Sequence, residues 1–180
     1  NIPGTRLKKI AKVITDPDDV DFVIYHDYCS DGFGSAYSAW KRLGNKAVYF
    51  PARHGDDPPD VTGKNVAIID FSYKRDLTER ILEQCNGLIV LDHHKTSIER
   101  VGDLPHVTLD MNRSGAMMSW NFFHPGITPP KLIQYIQDRD IWLWEMPNSE
   151  EFLAYLDIVP STFDEFDRHV LYESTLIPVG

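Results

Sequence analysis

Short, nearly continuous apolar runs alternate along this chain with segments of helical periodicity. The runs cover residues 20–25, 46–50, 65–69, 87–91 and, more weakly, 106–109. Each is stopped by a polar or breaking residue: His26-Asp27, Pro51, Asp70, Asp92-His93-His94 and Asp110 in turn. A strand wetted on one face alternates polar with apolar residues, and these do not, so they read as strands covered on both faces by helices. A helix is expected from Gly32–Ser35 to Gly44, where glycine suits a left-handed terminus. Another spans about 74–85, with Leu77, Ile81 and Leu82 on one side and Asn86-Gly87 as the stop. Residues 114–123 form a third, and Pro129-Pro130 opens a fourth that ends near Asp140. Beyond about Glu150 the pattern is helical only. The alternation predicts an α/β fold, a doubly wound and mostly parallel five-stranded sheet with a helical C-terminal extension. Its functional groups would gather at the carboxyl ends of the strands. The polar, proline-rich stretch 52–64 takes the place of a crossover helix and reads either as a lip over that rim or as a plain surface loop.

Composition narrows the function classes. The 180 residues carry 18 Lys+Arg against 27 Asp+Glu, a net charge of −9, which leaves no basic track for long duplex nucleic acid. Length and hydrophobic content suit one domain with a real core. No apolar run approaches the roughly 20 residues of a membrane helix. Two cysteines, Cys29 and Cys85, make no disulfide framework and favour a reducing, cytoplasmic setting. The first residues, Asn1 to Arg6, lack the order of a signal peptide.

The strand ends carry the candidate chemistry. In a parallel sheet His26, Asp27 and Asp31, then Asp70, then Asp92-His93-His94 converge on one rim, with Asp138 and Asp140 near it on the fourth helix. That many carboxylates in one volume would repel each other or take up protons, and divalent ions relieve the repulsion. Aspartate and histidine without a thiolate cluster favour Mn²⁺ or a similar ion over structural zinc. An aspartate at the end of a central strand, Asp70, is placed to bridge two ions, and such a pair activates a water against a phosphoryl group. Read singly, a strand-terminal aspartate is as well explained as a helix cap. Asn112-Arg113-Ser114 before the third helix, and Ser35 in the first, read as phosphate cradles or as a cap and a packing residue. Trp142, Trp144, Phe122 and Phe123 fit a hydrophobic core better than a base-stacking surface.

These motifs together resemble the DHH phosphoesterase superfamily, which includes nanoRNases, dinucleotide phosphodiesterases, single-strand exonucleases, pyrophosphatases and polyphosphatases. The likeness runs from about Val20 to about Asp167. It is carried by Tyr25-His26-Asp27-Tyr28-Cys29-Ser30-Asp31-Gly32-Phe33-Gly34, Asp70-Phe71-Ser72-Tyr73, Asp92-His93-His94-Lys95-Thr96, Asp110-Met111-Asn112-Arg113-Ser114-Gly115-Ala116 and Asp138-Arg139-Asp140. The triplet Asp-His-His alone is moderately specific; five motifs in order are strongly so.

The resemblance implies two Mn²⁺ ions, with Mg²⁺ or Co²⁺ as alternatives, and strand order 2-1-3-4-5. It implies Asp70 as the bridge, His93 as a ligand, His94 as a substrate contact and Asp92 as the residue that orients an imidazole. The first turn departs from the family pattern, with Cys29 where a middle aspartate is usual. His26 and Asp31 are the preferred ligands there, Asp27 the next, and Cys29 reads better as a small buried side chain. In the fourth helix Asp138 is preferred and Asp140 is the fallback. The implied domain scheme is a catalytic domain over 1–150 and a helical linker over 151–180 leading to a second domain, with Pro178-Val179-Gly180 at its start. The implied activity is hydrolysis of short nucleotidic substrates, with a homodimer as a compatible assembly. Hydrolysis of pyrophosphate or polyphosphate and non-catalytic nucleotide binding are the alternatives.

Overall fold

A computed structural model describes residues 9–176. The opening Asn1 to Arg6 and the closing Pro178-Val179-Gly180 lie outside the described residues. The sheet is parallel throughout: β1 (Lys12–Val13), β2 (Phe22–His26), β3 (Val48–Ala52), β4 (Asn65–Ile69), β5 (Gly87–Asp92) and β6 (Val107–Leu109). Its order is β3-β2-β4-β5, with β1 and β6 sharing the outer edge of β5. Lys12 and Val13 pair with Gly87 and Leu88, and β6 pairs farther along, from Val90 to Asp92. His106 Nε2, 2.7 Å from the Ala11 carbonyl oxygen, ties the two edge pieces together. The five expected strands therefore stand in the order 2-1-3-4-5. The sixth, β1, is two residues long and leaves no periodicity to read. Pro51, expected to stop its strand, lies inside β3 opposite Tyr25, which an edge strand tolerates because one row of its backbone groups needs no partner.

Seven α-helices are described: α1 (Ser30–Leu43), α2 (Arg75–Gln84), α3 (Lys95–Val101), α4 (Gly115–Phe123), α5 (Lys131–Asp140), α6 (Ser149–Ile158) and α7 (Phe163–Leu176). The pleat sorts each strand between two cores. Phe22, Ile24, Val66, Ile68, Leu88 and Val90 face Ile81 and Leu82 of α2. Val23, Ala67, Ile69, Ile89 and Leu91 face Ala39 and Leu43 of α1 and Met118 and Phe123 of α4. Burial on both faces is why the strands read as unbroken apolar runs.

The helical segment after residue 150 packs back on this body. Phe166 is buried against Tyr37 and Phe33, and the Tyr37 hydroxyl donates to Asp167. No helix among the described residues is long and apolar enough to cross a membrane.

Connections from β2 and β4 run to opposite faces of the sheet, since α1 covers one side and α2 the other. A crevice therefore opens between the carboxyl ends of these neighbouring strands, where open α/β sheets bind ligands. His26 ends one strand and Asp70 follows the other.

Candidate metal centre

Asp70 continues the ladder and then leaves it. Its N–H donates to the Leu91 carbonyl at 2.9 Å, and its φ of 55° turns the chain out of the sheet. A non-glycine residue in that region is strained by about 1–3 kcal/mol and is held only by surrounding structure. The carboxylate is 1% exposed. Two glycines make the crowding possible: a Cβ on Gly115 would lie 2.5 Å from the Asp70 Cβ, and one on Gly32 would lie 2.0 Å from the His26 carbonyl oxygen. Glycine at these two positions lets α4 and α1 begin against the strand ends.

Each oxygen of Asp70 faces a different group of donors. Oδ1 lies 3.0 Å from His93 Nε2, which is itself 3.2 Å from Asp31 Oδ2 and 3.5 Å from Asp140 Oδ2. Oδ2 lies 3.7 Å from His26 Nδ1 and 4.0 Å from Cys29 Sγ. Three overlapping groups bring ligand atoms within 4.8 Å of one another: Asp31, His93 and Asp140; His26, Cys29 and Asp70; and Asp70, Asp92, His93 and His94. Asp31 sits in the first turn of α1, yet its carboxylate is gripped from α4: the N–H groups of Gly115 and Ala116 donate to Oδ2 and Oδ1 at 2.9 and 2.7 Å.

The electrostatics are those of a site short of positive charge. Burial, then the neighbouring Asp70 charge, raises Asp31 to about 6, and burial with the Asp31 charge raises Asp140 to about 6. The Asp70 carboxylate 3.7 Å away, with Cys29 beside it, holds His26 up at about 10. Burial opposes the charged form of His93, but the Asp31 and Asp70 carboxylates outweigh it and hold the imidazole at about 11. A bound cation would take over the role of these protons.

Asp92, in the third group, already has both carboxylate oxygens engaged. Its Oδ1 accepts from the His93 N–H at 2.8 Å and lies 2.6 Å from His94 Nδ1. Its Oδ2 accepts from the Ser97 hydroxyl at 2.5 Å, and Ser97 in turn contacts Ser72 at 2.6 Å. With Nδ1 committed, the other nitrogen of His94 is left for a ligand, and its side chain is 43% exposed at the rim.

Several expected site residues lie elsewhere. Asp138 and Asp140 are two positions apart on α5, about 200° around a helix, so one faces the rim and the other cannot. Asp140 is the one that joins. The Asp138 carboxylate instead accepts the N–H groups of Glu145 and Met146 at 2.8 and 3.3 Å and shapes the turn after α5. Arg139 pairs with Asp157 on α6 and donates to Ser30, pinning α5 beside α1. Asp27 is drawn outward, accepting from Arg53 Nε at 3.1 Å and from the Tyr28 N–H at 2.9 Å.

The proposed phosphate cradles are occupied. The α4 amides hold Asp31, and Ser114 is buried as the N-cap, accepting from the Met117 N–H at 3.1 Å. Asn112 and Arg113 fold back on Asp110, and Arg113 lines a different cleft beside Met118 and Phe122. The Ser35 hydroxyl donates to the Asp31 carbonyl inside α1 and is fully buried.

Cys29 is half-buried with its sulfur toward Asp70, a donor position rather than a packing one. His54, from the 52–64 loop, comes over the rim with its ring 5.1 Å from that of His26 and 4.8 Å from that of Phe71. Sequence could mark that loop only as a lip, because nothing local relates it to His26. Phe123 is fully buried, as expected for the core, whereas Trp142 is 76% exposed on the turn that follows Asp140. Tyr28 is 84% exposed, with the Arg53 guanidinium 4.0 Å above its ring.

The residues fit a metal. His26 Nδ1 is enclosed and faces Asp70 Oδ2 across 3.7 Å, too far for a hydrogen bond, a gap that a shared cation would fill. The donors mix imidazole nitrogen, carboxylate oxygen and one sulfur, a set suited to divalent transition ions and poorly suited to Ca²⁺.

No protein-family model matches the sequence. The chain is 38% identical over 160 residues to the uncharacterized protein R106 of Acanthamoeba polyphaga mimivirus, an alignment that covers 79% of this chain and 38% of that protein. The chain thus corresponds to well under half the length of this curated relative. The crystal structure of an uncharacterized protein from Helicobacter pylori G27 superposes with a TM-score of 0.56 at 17% identity, over 70% of this chain and 44% of that one. At that identity the likeness is one of fold.

Proposed function

We propose that this chain is a metal-dependent phosphoesterase of the DHH type, hydrolysing short nucleotidic substrates such as di- and oligonucleotides. The observation that carries the reading is Asp70, one carboxylate whose two oxygens face two separate donor groups. His26, Cys29 and Asp70 would hold one ion, and Asp31, His93, Asp140 and Asp70 the other. Two such ions, Mn²⁺ by the resemblance with Mg²⁺ or Co²⁺ as alternatives, would supply Lewis acidity toward a phosphoryl oxygen and a water acidic enough to attack at neutral pH.

The chain's own residues do the rest. Asp92, fixed by Ser97, sets the ring plane and tautomer of His94. Asp92 also favours the charged form of His94, and in that form Nε2–H can donate a proton to the leaving oxygen. The exposed rings of Tyr28 and Trp142, each within two residues of a candidate ligand, favour a base-bearing substrate over an inorganic one.

The test is Mn²⁺-dependent hydrolysis of pApA, short RNA, single-stranded DNA and pyrophosphate by the wild type, Asp70→Ala and His93→Ala. Turnover of pApA by the wild type alone supports the reading. Orthophosphate from pyrophosphate with no diester cleavage replaces it with a pyrophosphatase, and metal-independent turnover in all three proteins sinks it.

A further inference from the structure

Beside the metal centre lies a second cavity that the proposed reaction does not use. It measures about 340 Å³, at the small end of the range for small-molecule sites. The 52–64 loop contributes His54, the segment after Asp70 contributes Phe71, Tyr73 and Lys74, and α3 contributes Thr96 and Arg100. It adjoins the centre at Phe71, next in the chain to Asp70, and at the His54 ring packed beside that of His26.

Three features of this cavity point to an anionic ligand. Lys74 and Arg100 both line it, and neither has a carboxylate within salt-bridge distance among the described residues, although ten Lys or Arg side chains elsewhere do. Asp56 is the sole acidic residue among those lining it, so the basic groups are in excess in a chain of net charge −9. Tyr73 is 3% exposed, and its hydroxyl has no hydrogen-bond partner among the described residues. A buried hydroxyl left unpaired costs about 1–3 kcal/mol, and an oxygen-rich anion would satisfy it. Guanidinium, ammonium and hydroxyl donors around one small cavity are the chemistry that recognises phosphate.

We propose that this cavity is a phosphate subsite that holds a second phosphate of the substrate, one not being cleaved. The proposal rests on the phosphoesterase reading for its substrate, but not for its binding chemistry. Arg100 and Lys74 supply the charge, and Tyr73 and Thr96 supply hydroxyl donors. The selected substrate carries a terminal phosphate beyond the scissile bond, so a phosphorylated dinucleotide is preferred over its unphosphorylated counterpart.

Two arms test this and separate it from the parent reading. Without metal, inorganic phosphate and 5′-AMP are titrated calorimetrically into the wild type, Arg100→Gln, Lys74→Gln and Tyr73→Phe, with circular dichroism to verify folding. Affinity is expected to fall about tenfold or more in Arg100→Gln and Lys74→Gln, and about three- to tenfold in Tyr73→Phe. Equal binding by all four proteins overturns the subsite. In the second arm, with Mn²⁺, the ratio of kcat/KM for pApA over ApA is expected to be about tenfold or more in the wild type and to collapse toward one in Arg100→Gln. Equal ratios in both proteins overturn the subsite and leave the phosphoesterase reading standing. Phosphate binding that depends on Arg100 and Lys74, with no turnover of any substrate, upholds the subsite and removes the parent reading.

Discussion

The two donor groups that meet at Asp70 are built to different standards. Asp31, His93 and Asp140 come from regular elements or their ends, and two of them are braced: Asp31 by two α4 amides and His93 through its backbone by Asp92. Their donor atoms stand 3.2–3.5 Å apart around His93, whose side chain is 10% exposed. His26 and Cys29 flank a short turn that passes through Tyr28 at φ 54°. Their atoms stand farther from Asp70, at 3.7 and 4.0 Å, and His26 is 25% exposed. One group is braced from neighbouring elements, although its Asp140 is as exposed as His26 at 25%; the other is softer, looser and includes a thiol. Carboxylate oxygen suits Mn²⁺ and Mg²⁺, whereas sulfur pulls toward zinc or cobalt, so the two positions should differ in metal preference as well as in affinity.

Removing the shared member should erase the distinction. Asp70→Ala is expected to abolish binding at both positions, with turnover down by about 10³-fold or more, read by metal analysis after dialysis against Mn²⁺ and by pApA hydrolysis. Retention of two tightly held ions would break the comparison at its centre.

A smaller loss is expected from the support on the His94 side. Asp92→Asn frees the His94 ring and the Ser97 hydroxyl, and should lower metal affinity or activity by about 10–100-fold, measured as kcat/KM against Mn²⁺ concentration.

Cys29→Ser addresses the soft position alone. In the Co²⁺-loaded wild type a thiolate-to-metal charge-transfer band is expected in the near ultraviolet. It should vanish in the variant while the second ion stays bound. A band that persists in Cys29→Ser would mean that the sulfur is not a ligand.

The protonation states give a pH test. His26 and His93 are raised from 6.5 to about 10 and 11 in the metal-free protein, so the stability they contribute is complete below about pH 6.5 and is lost as pH rises through 10 and 11. Metal ligation needs both imidazoles neutral, so binding near pH 7.5 should release at least two protons, one from each ring, and tighten as pH rises. Calorimetry in buffers of different ionisation enthalpy measures the number. No proton release would show that the ions, if bound, avoid these histidines.

The smallest effect on the centre is expected from the aspartate that does not reach it. Asp138→Ala should leave metal stoichiometry unchanged while costing about 1–3 kcal/mol of stability, because the Glu145 and Met146 amides lose their acceptor. Loss of an ion in Asp138→Ala would return Asp138 to the ligand set.

Much of the frame was legible before any coordinates. Five strands, their parallel pairing and the polar residue at each end follow from apolar runs of strand length alternating with helical patterns. These signals are local and survive without knowledge of neighbours. That Asp70, Asp92 and His93 would meet was legible because central strands can deliver their ends to only one rim. Asp138 was misjudged because two carboxylates two residues apart look alike in sequence, and only the rotation of α5 against α1 separates them. The α4 N-terminus, open between a cradle and a cap in sequence, was undecided for a related reason. Its amides look free in one dimension, and only the packing of α1 across it fills them with Asp31.

By itself, then, the sequence determined the parallel α/β frame, the residue types at the strand ends and the crowding of carboxylates at one rim. Those are consequences of period, burial and charge. The tertiary structure alone decided which oxygen of Asp70 faces which imidazole, that Cys29 turns toward the centre, and that His54, Lys74, Arg100 and Tyr73 come together beside it. Such choices depend on how helices rotate and loops cross over a shared rim, and no repeat along the chain encodes that.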